Sequence, residues 1–352
     1  MERDELSLRQ IMALLGTALL APATDLLPAL AAQEAGSAGW LAALGALPLL
    51  LAALWAGAGL YRHGGPCRTL GKVPGGALTM MYLVWTLLAL TLSLRLSAAR
   101  LAEVYGEGPT FFCTAALLAV AVWMGLGKTS AFARAGEIFY LALAVALAGV
   151  LFLALFKVEG NNFRASGSEI AALPGCSAAA AGLLLNGFPT AALGCKVTAH
   201  PRNGRRAVGW AAAFCAAITL LLGAVIGCLG PRLTARLSAP FLIMVQGLGV
   251  KGAFQRTEAL FTALWTLSDL TLVGLLLHTW RELAGQLHPG KWSRWSVLPA
   301  AAIALTGGWT LFSSLEKTKQ FCTRVLPAVG LILGLALPLA AQILLRIRKR
   351  KK

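Results

Sequence analysis

The chain has 352 residues, of which 58% are hydrophobic and 13% charged, and its mean hydropathy is +0.73. A water-soluble domain of this length cannot hide so much apolar surface, so the composition excludes that class and names a bilayer as the solvent. The net charge of +17 does not signal nucleic acid, because Lys and Arg gather in short segments between apolar runs, as membrane topology requires.

The N-terminal MERDELSLRQ carries three acids and two arginines and has no basic stretch ahead of a cleavage site, so the first apolar run is expected to be retained as a membrane helix. Apolar runs of about 20 residues cross about 30 Å of hydrocarbon. Ten are predicted: 8–32, 37–60, 76–101, 109–127, 131–156, 177–198, 206–229, 254–284, 295–312 and 325–346. They are long and continuously apolar, which selects helices over a barrel of short alternating strands. With both termini inside, inner segments hold 20 of the 31 Lys and Arg residues, which favours cytoplasmic termini. The tail RIRKRKK (346–352) is a polybasic anchor beside the membrane, suited to anionic headgroups. Two stretches read as non-helical. They are the polar outer loop 158–176 and the interrupted semi-apolar segment 231–256, expected on or dipping into the outer face.

Two spans interrupt themselves. The first contains LLAPATDLLPAL (19–30), with Pro22, Pro28 and the carboxylate of Asp25. The sixth contains Asn186, Gly187, Phe188 and Pro189. Proline removes a backbone donor, and Asn-Gly interrupts helices. Broken helices five spans apart suggest a five-plus-five inverted repeat, covering about 8–156 and 177–346 in one transmembrane domain. Their half-helix ends would present N–H groups and positive dipole ends to an anionic group. The alternative is a pair of ordinary proline kinks. The expected pocket walls are Ala21, Pro22, Ala23, Thr24, Asn186, Gly187, Phe188 and Pro189. Trp85 and Thr86 of the third span are added as pocket wall or simple packing.

Charges inside the membrane are the next signal, since they are costly and tend to be functional. Asp25 pairs a substrate amine, holds a cation or proton, or caps the following half-helix. Glu258, Thr262, Trp265 and Asp269 share one helical face. Arg134 and Glu137 are three apart and are expected to pair as a structural or gating link. Arg95 reads as snorkelling outward or as an outer gate, and Lys196 as snorkelling inward. The seven cysteines have no metal-ligand spacing and read as apolar filler. No nucleophile–base, phosphate-loop or dinucleotide pattern appears, so neither enzyme activity nor a cofactor is expected.

Four stretches carry a resemblance: SLRQIMALLGTALLAPATDLLPALAAQEAGSAGW (7–40), FARAGEIFYLAL (132–143), GFPTAALGCKVTAHP (187–201) and FQRTEALFTALWTLSDL (254–270). In order and spacing the chain resembles the B subunits of bacterial spore-germinant receptors. These belong to the amino acid–polyamine–organocation transporter superfamily, which has a LeuT-like fold. The resemblance implies an all-α protein of ten transmembrane helices with discontinuous helices 1 and 6. It implies residence in the spore inner membrane, A and C partner subunits, and a small nutrient ligand such as an amino acid. The eighth helix then lies against the first near a cation site, which makes Asp269 an ion or proton candidate, the alternative being a structural interhelical hydrogen bond. Two departures stand out. Relatives often place a glycine-rich turn where Ala21-Pro22-Ala23 stands here, and an acid where Lys196 stands. The competing readings are a proton-coupled amino acid permease, a ligand-gated ion or water pathway, and a non-catalytic scaffold for the other subunits.

Overall fold

The computed structural model describes residues 5–61, 64–105, 110–198, 200, 202–248, 257–288, 290 and 292–350. The side chains of 103–105, 257–262 and 348–350 lie outside that description. The described residues are overwhelmingly helical.

Helix α1 (Leu8–Asp25) opens on a capping box: Gln10 N donates to Ser7 Oγ at 3.2 Å, and Ser7 N to Gln10 Oε1 at 3.0 Å. It runs through Pro22, and a single residue, Leu26, separates it from α2 (Leu27–Ala35). The break expected at Ala21-Pro22-Ala23 is not seen there, since α1 is continuous through these residues. Pro22 removes one donor, but Leu26 N–H still reaches the Pro22 carbonyl at 3.0 Å. Pro28 sits in the first turn of α2, where an N–H has no helical partner to lose. Gly36 then takes φ 51°, a conformation that suits a residue without Cβ. A 3-10 turn, Gly36–Leu41, follows. Gly39 lies so close to Ala31 that a Cβ would overlap its carbonyl. In a straight helix residues eight apart are about 12 Å apart, so the chain turns sharply here.

Next come α3 (Ala42–Tyr61), α4 (Pro66–Leu70), α5 (Lys72–Tyr105), α6 (Thr110–Leu126) and α7 (Thr129–Ala154). Helix α8 (Gly167–Leu184) begins ten residues before the expected span, because Ser166 and Glu169 form a second capping box. At Leu185 it tightens into a 3-10 helix, Leu185–Lys196. The order continues with α9 (Asn203–Leu229), α10 (Pro231–Arg236), α11 (Pro240–Leu248), α12 (Thr257–Leu287), α13 (Trp292–Trp295), α14 (Val297–Thr310), α15 (Leu315–Arg324) and α16 (Leu326–Leu331). A π-helical turn, Ile332–Ala336, joins α16 to α17 (Leu337–Arg350). The stretch 231–256, read as non-helical, thus contains α10 and α11, and its residues 249–256 lie outside the described ones.

Among the described residues six helical stretches are long and apolar enough to cross a membrane: Leu27–Tyr61, Lys72–Ala102, Thr129–Ala154, Gly167–Lys196, Asn203–Leu229 and Leu326–Ile347. Trp292–Thr310 with Leu315–Arg324, bent by 109°, makes up to seven. The surface agrees with this. On α7, Ile138, Leu141, Val145 and Phe152 are 60–70% exposed. A contiguous apolar face of that kind does not survive in water, and the chain is an integral membrane protein.

Between lipid-facing helices apolar burial offers little drive, so close packing and small residues hold the bundle. Helix α12 packs along α1, α5 and α6, and α8 along α2, α3 and α16. The crossing of α8 and α16 is backbone on backbone. A Cβ on Gly182 would overlap the Pro327 carbonyl, and one on Gly330 the Gly182 carbonyl.

Candidate functional site

The seam between α1 and α12 holds a set of buried, hydrogen-bonded polar side chains. Ser268 of α12 donates to the Thr17 carbonyl at 2.6 Å and accepts from Ala21 N at 3.0 Å. Its hydroxyl therefore stands beside the α1 ladder just ahead of Pro22. One helical turn away, Trp265 Nε1 donates to Thr24 Oγ1 at 3.0 Å, and Thr24 Oγ1 donates to the Leu20 and Ala21 carbonyls at 2.9 and 3.0 Å. A Ser268→Ala variant is expected to lose about 0.5–1.7 kcal/mol, the usual range for an interhelical hydrogen bond in a bilayer, because α1 can partly close its own ladder. The unfolding midpoint in detergent reads this, and an unchanged midpoint would show that the bridge contributes nothing.

Next to Ser268 lies a buried charge network. Arg100 of α5 donates through Nη1 to Asp25 Oδ2 at 2.8 Å, through Nε to Asp269 Oδ2 at 3.2 Å, and through Nη2 to Asp269 Oδ1. The three side chains are 5, 2 and 4% exposed, respectively for Arg100, Asp25 and Asp269. Lys319 of α15 adds a second cation, 3.6 Å from Asp25 Oδ1. Asp25 does not cap α2, which starts without a side-chain cap. Its carboxylate turns to Arg100 instead, because an ion pair offsets desolvation better than a partial helix dipole does. Sequence reasoning chose Asp25 and Asp269 and missed Arg100 and Ser268. The available signal was charge balance: two carboxylates in an apolar interior require cations nearby.

The second predicted interruption has its own polar closure. Asn186 Nδ2 donates to the Gly182 and Leu183 carbonyls, each at 3.1 Å, and to the Leu326 carbonyl at 3.4 Å. These are carbonyls at the end of α8, and Asn186 ties them to α16. Phe188 stacks at a tilt on Tyr82 with ring centroids 5.9 Å apart. Tyr82 Oη donates to the Leu333 carbonyl in the π-helical turn at 3.0 Å. Pro189 is buried in the 3-10 helix. Gly187 faces α1: a Cβ there would lie 3.3 Å from Leu19 Cδ2. The 3-10 helix therefore approaches α1 at Leu19, seven residues before Leu26, with an apolar side chain between them.

A small cleft adjoins α1 on Leu20 and Thr24, and Leu143, Ala146, Phe241 and Trp265 are among its other walls. It is bounded by α7, α11 and α12, and the 3-10 helix does not line it. Ala21 and Ala23 are fully buried in packing. Trp85 is also buried in the core, and Thr86 Oγ1 donates to its own helix at the Tyr82 carbonyl, 2.6 Å away.

The remaining predicted charges are placed differently from expectation. Glu137 accepts from Arg9 Nε at 2.8 Å, while Arg134 Nε points to the Ser130 carbonyl at 3.4 Å. The pair Arg134–Glu137 is not made because α1 brings Arg9 to the same carboxylate. Lys196 does not snorkel. Its Nζ lies 3.2 Å from Glu282 Oε2 and donates to Thr129 Oγ1 at 3.1 Å. Beside it Leu6 N donates to the Lys196 carbonyl at 2.9 Å, and Thr198 N to the Leu6 carbonyl at 3.0 Å, so the N-terminal segment is tied to the end of the 3-10 helix. Arg95 donates to the Phe312 and Ser313 carbonyls at 2.8 and 2.9 Å, in the turn between α14 and α15. Glu258 and Thr262 have side chains outside the described residues.

No protein-family model matches the sequence, and no curated protein does. Among solved structures, the chain is similar to MhsT in complex with L-phenylalanine, with a TM-score of 0.71 and 14% identity, over 92% of this chain and 87% of that one. The chain has the LeuT-type fold.

Proposed function

We infer that the protein binds a small amino acid where α1 and the 3-10 helix Leu185–Lys196 adjoin, and that binding shifts a two-state equilibrium. The likeness to MhsT, a protein crystallised with an amino acid, carries this reading. The proximity of Gly187 to Leu19 supports it, because it brings the 3-10 helix beside α1. The finer reading is a nutrient-receptor B subunit of the spore-germinant type. It has ten spans in a five-plus-five arrangement, both termini in the cytoplasm, and A and C subunits that read out its state in the spore inner membrane. The stretches 7–40, 132–143, 187–201 and 254–270 support that finer reading. Sensing is favoured over proton-coupled uptake because Asp25 and Asp269, the two carboxylates read as coupling candidates, are paired with Arg100.

A ligand can shift such an equilibrium only by its difference in affinity for the two states. The purified protein is therefore expected to rise in unfolding midpoint with one or a few L-amino acids. At a ligand concentration of 100 times Kd the gain is about 2.7 kcal/mol. Gly187→Leu is expected to abolish the shift, and its unliganded midpoint to fall as overpacking costs about 1–3 kcal/mol, because a Cβ there would already lie 3.3 Å from Leu19 Cδ2. If no amino acid moves the midpoint, the reading fails. Concentrative uptake into liposomes under a pH gradient would replace sensing with transport.

A further inference from the structure

The carboxylates of Asp25 and Asp269 come from α1 and α12, the two helices whose seam also holds Ser268, Thr24 and Trp265. Two carboxylates facing one buried space repel each other and require positive charge between them. That charge can be a dissolved cation, protons, or a side chain of the protein. Here a side chain provides it. Arg100 reaches in from α5 and makes three hydrogen bonds, two to Asp269 in fork geometry and one to Asp25. Lys319, on α15, stands 3.6 Å from the other oxygen of Asp25. Among the described residues the network holds two carboxylates and two cations. A guanidinium keeps its charge under all working conditions, and its planar fork fits a carboxylate bidentately.

We propose that Arg100 is a built-in counter-cation, which holds α1 against α12 without any dissolved metal cation and so makes the stability of this protein indifferent to sodium, potassium and lithium. Lys319 extends the arrangement outward. It also donates to the Ser238 carbonyl at 2.9 Å, in the turn ahead of α11, and α11 places Phe241 against Trp265 with centroids 6.1 Å apart. The network therefore connects the α1–α12 seam to the segment that covers it.

The readout is cation dependence with no amino acid added, so it is independent of whether the ligand reading holds. The full-length protein in detergent is unfolded thermally in sodium, potassium, lithium and choline chloride at equal ionic strength. The expected midpoint is the same in all four. Arg100→Gln leaves one surplus negative charge. Its midpoint is expected to fall in choline and to recover with sodium or lithium. Arg100→Lys retains the charge and is expected to remain indifferent to the cation. Arg100→Gln combined with Asp269→Asn removes the surplus charge and is expected to lose the cation dependence. If Arg100→Gln cannot be purified but the double variant can, charge balance is supported, and loss of both overturns the proposal. A parent protein stabilised by sodium or lithium over choline also overturns it, as does a folded Arg100→Gln that ignores the cation.

Discussion

Asp269→Ala is expected to destabilise the protein by about 3–5 kcal/mol, the usual penalty for removing one partner of a buried ion pair. Arg100 would keep one hydrogen bond, to Asp25, and lose two. Its guanidinium is 5% exposed and cannot turn to water. The penalty arises mainly from the stranded cation, and the lost attraction is the smaller part. Replacing both members together, as Arg100→Met with Asp269→Leu, should therefore cost much less than the single change, since Asp25 keeps Lys319 nearby. Thermal or denaturant unfolding of the single and double variants forms a cycle that separates the two terms. Equal losses in Asp269→Ala and the double variant would refute the account. The exposed pair Arg9–Glu137 is the internal comparison. Arg9 is 84% exposed, and its removal should change stability by less than about 1 kcal/mol.

The second large effect is expected where α8 crosses α16. Gly182→Leu or Gly330→Leu places a side chain against backbone carbonyls of the opposing helix. A flexible side chain can move aside, but a helix backbone cannot without separating the pair. Overpacking of this kind costs about 1–3 kcal/mol and occasionally more, and both variants are expected at or above the upper end. Separation of α8 from α16 also pulls Asn186 away from the Leu326 carbonyl. Gly149→Leu on α7 is the control, because a Cβ there meets open space and its effect should fall within about 0.5 kcal/mol. The unfolding midpoints of the three variants decide the matter, and similar midpoints for all three would deny that this crossing is a backbone contact.

Much of the α1–α12 seam could be read from local sequence. Asp25 and Asp269 stand out because a carboxylate in an apolar run is expensive wherever it is placed. Their counter-ion was not legible in the same way. Arg100 lies 75 residues from Asp25 and 169 from Asp269, at the end of a long apolar run, where an arginine ordinarily reads as an interfacial residue. Arg134 and Glu137 show the opposite error. Their helical spacing allows a pair, but a second helix, α1, brings Arg9 to the carboxylate. The continuity of α1 through Pro22 has the same character. Local rules locate Pro22 as a defect, while Ser268 from α12 supports the ladder just ahead of it and the helix runs on to Asp25.

By itself the sequence determined that this chain lives in a bilayer, that its elements are helices, and that carboxylates and interrupted runs mark its interior. Those properties follow from the cost of placing polar groups in hydrocarbon, which each segment carries alone. Tertiary structure alone decided which cation meets which carboxylate, that α1 runs unbroken through Pro22, and that Gly187 lies beside Leu19. These depend on distances between helices far apart in the chain, and no local pattern of residues encodes such distances.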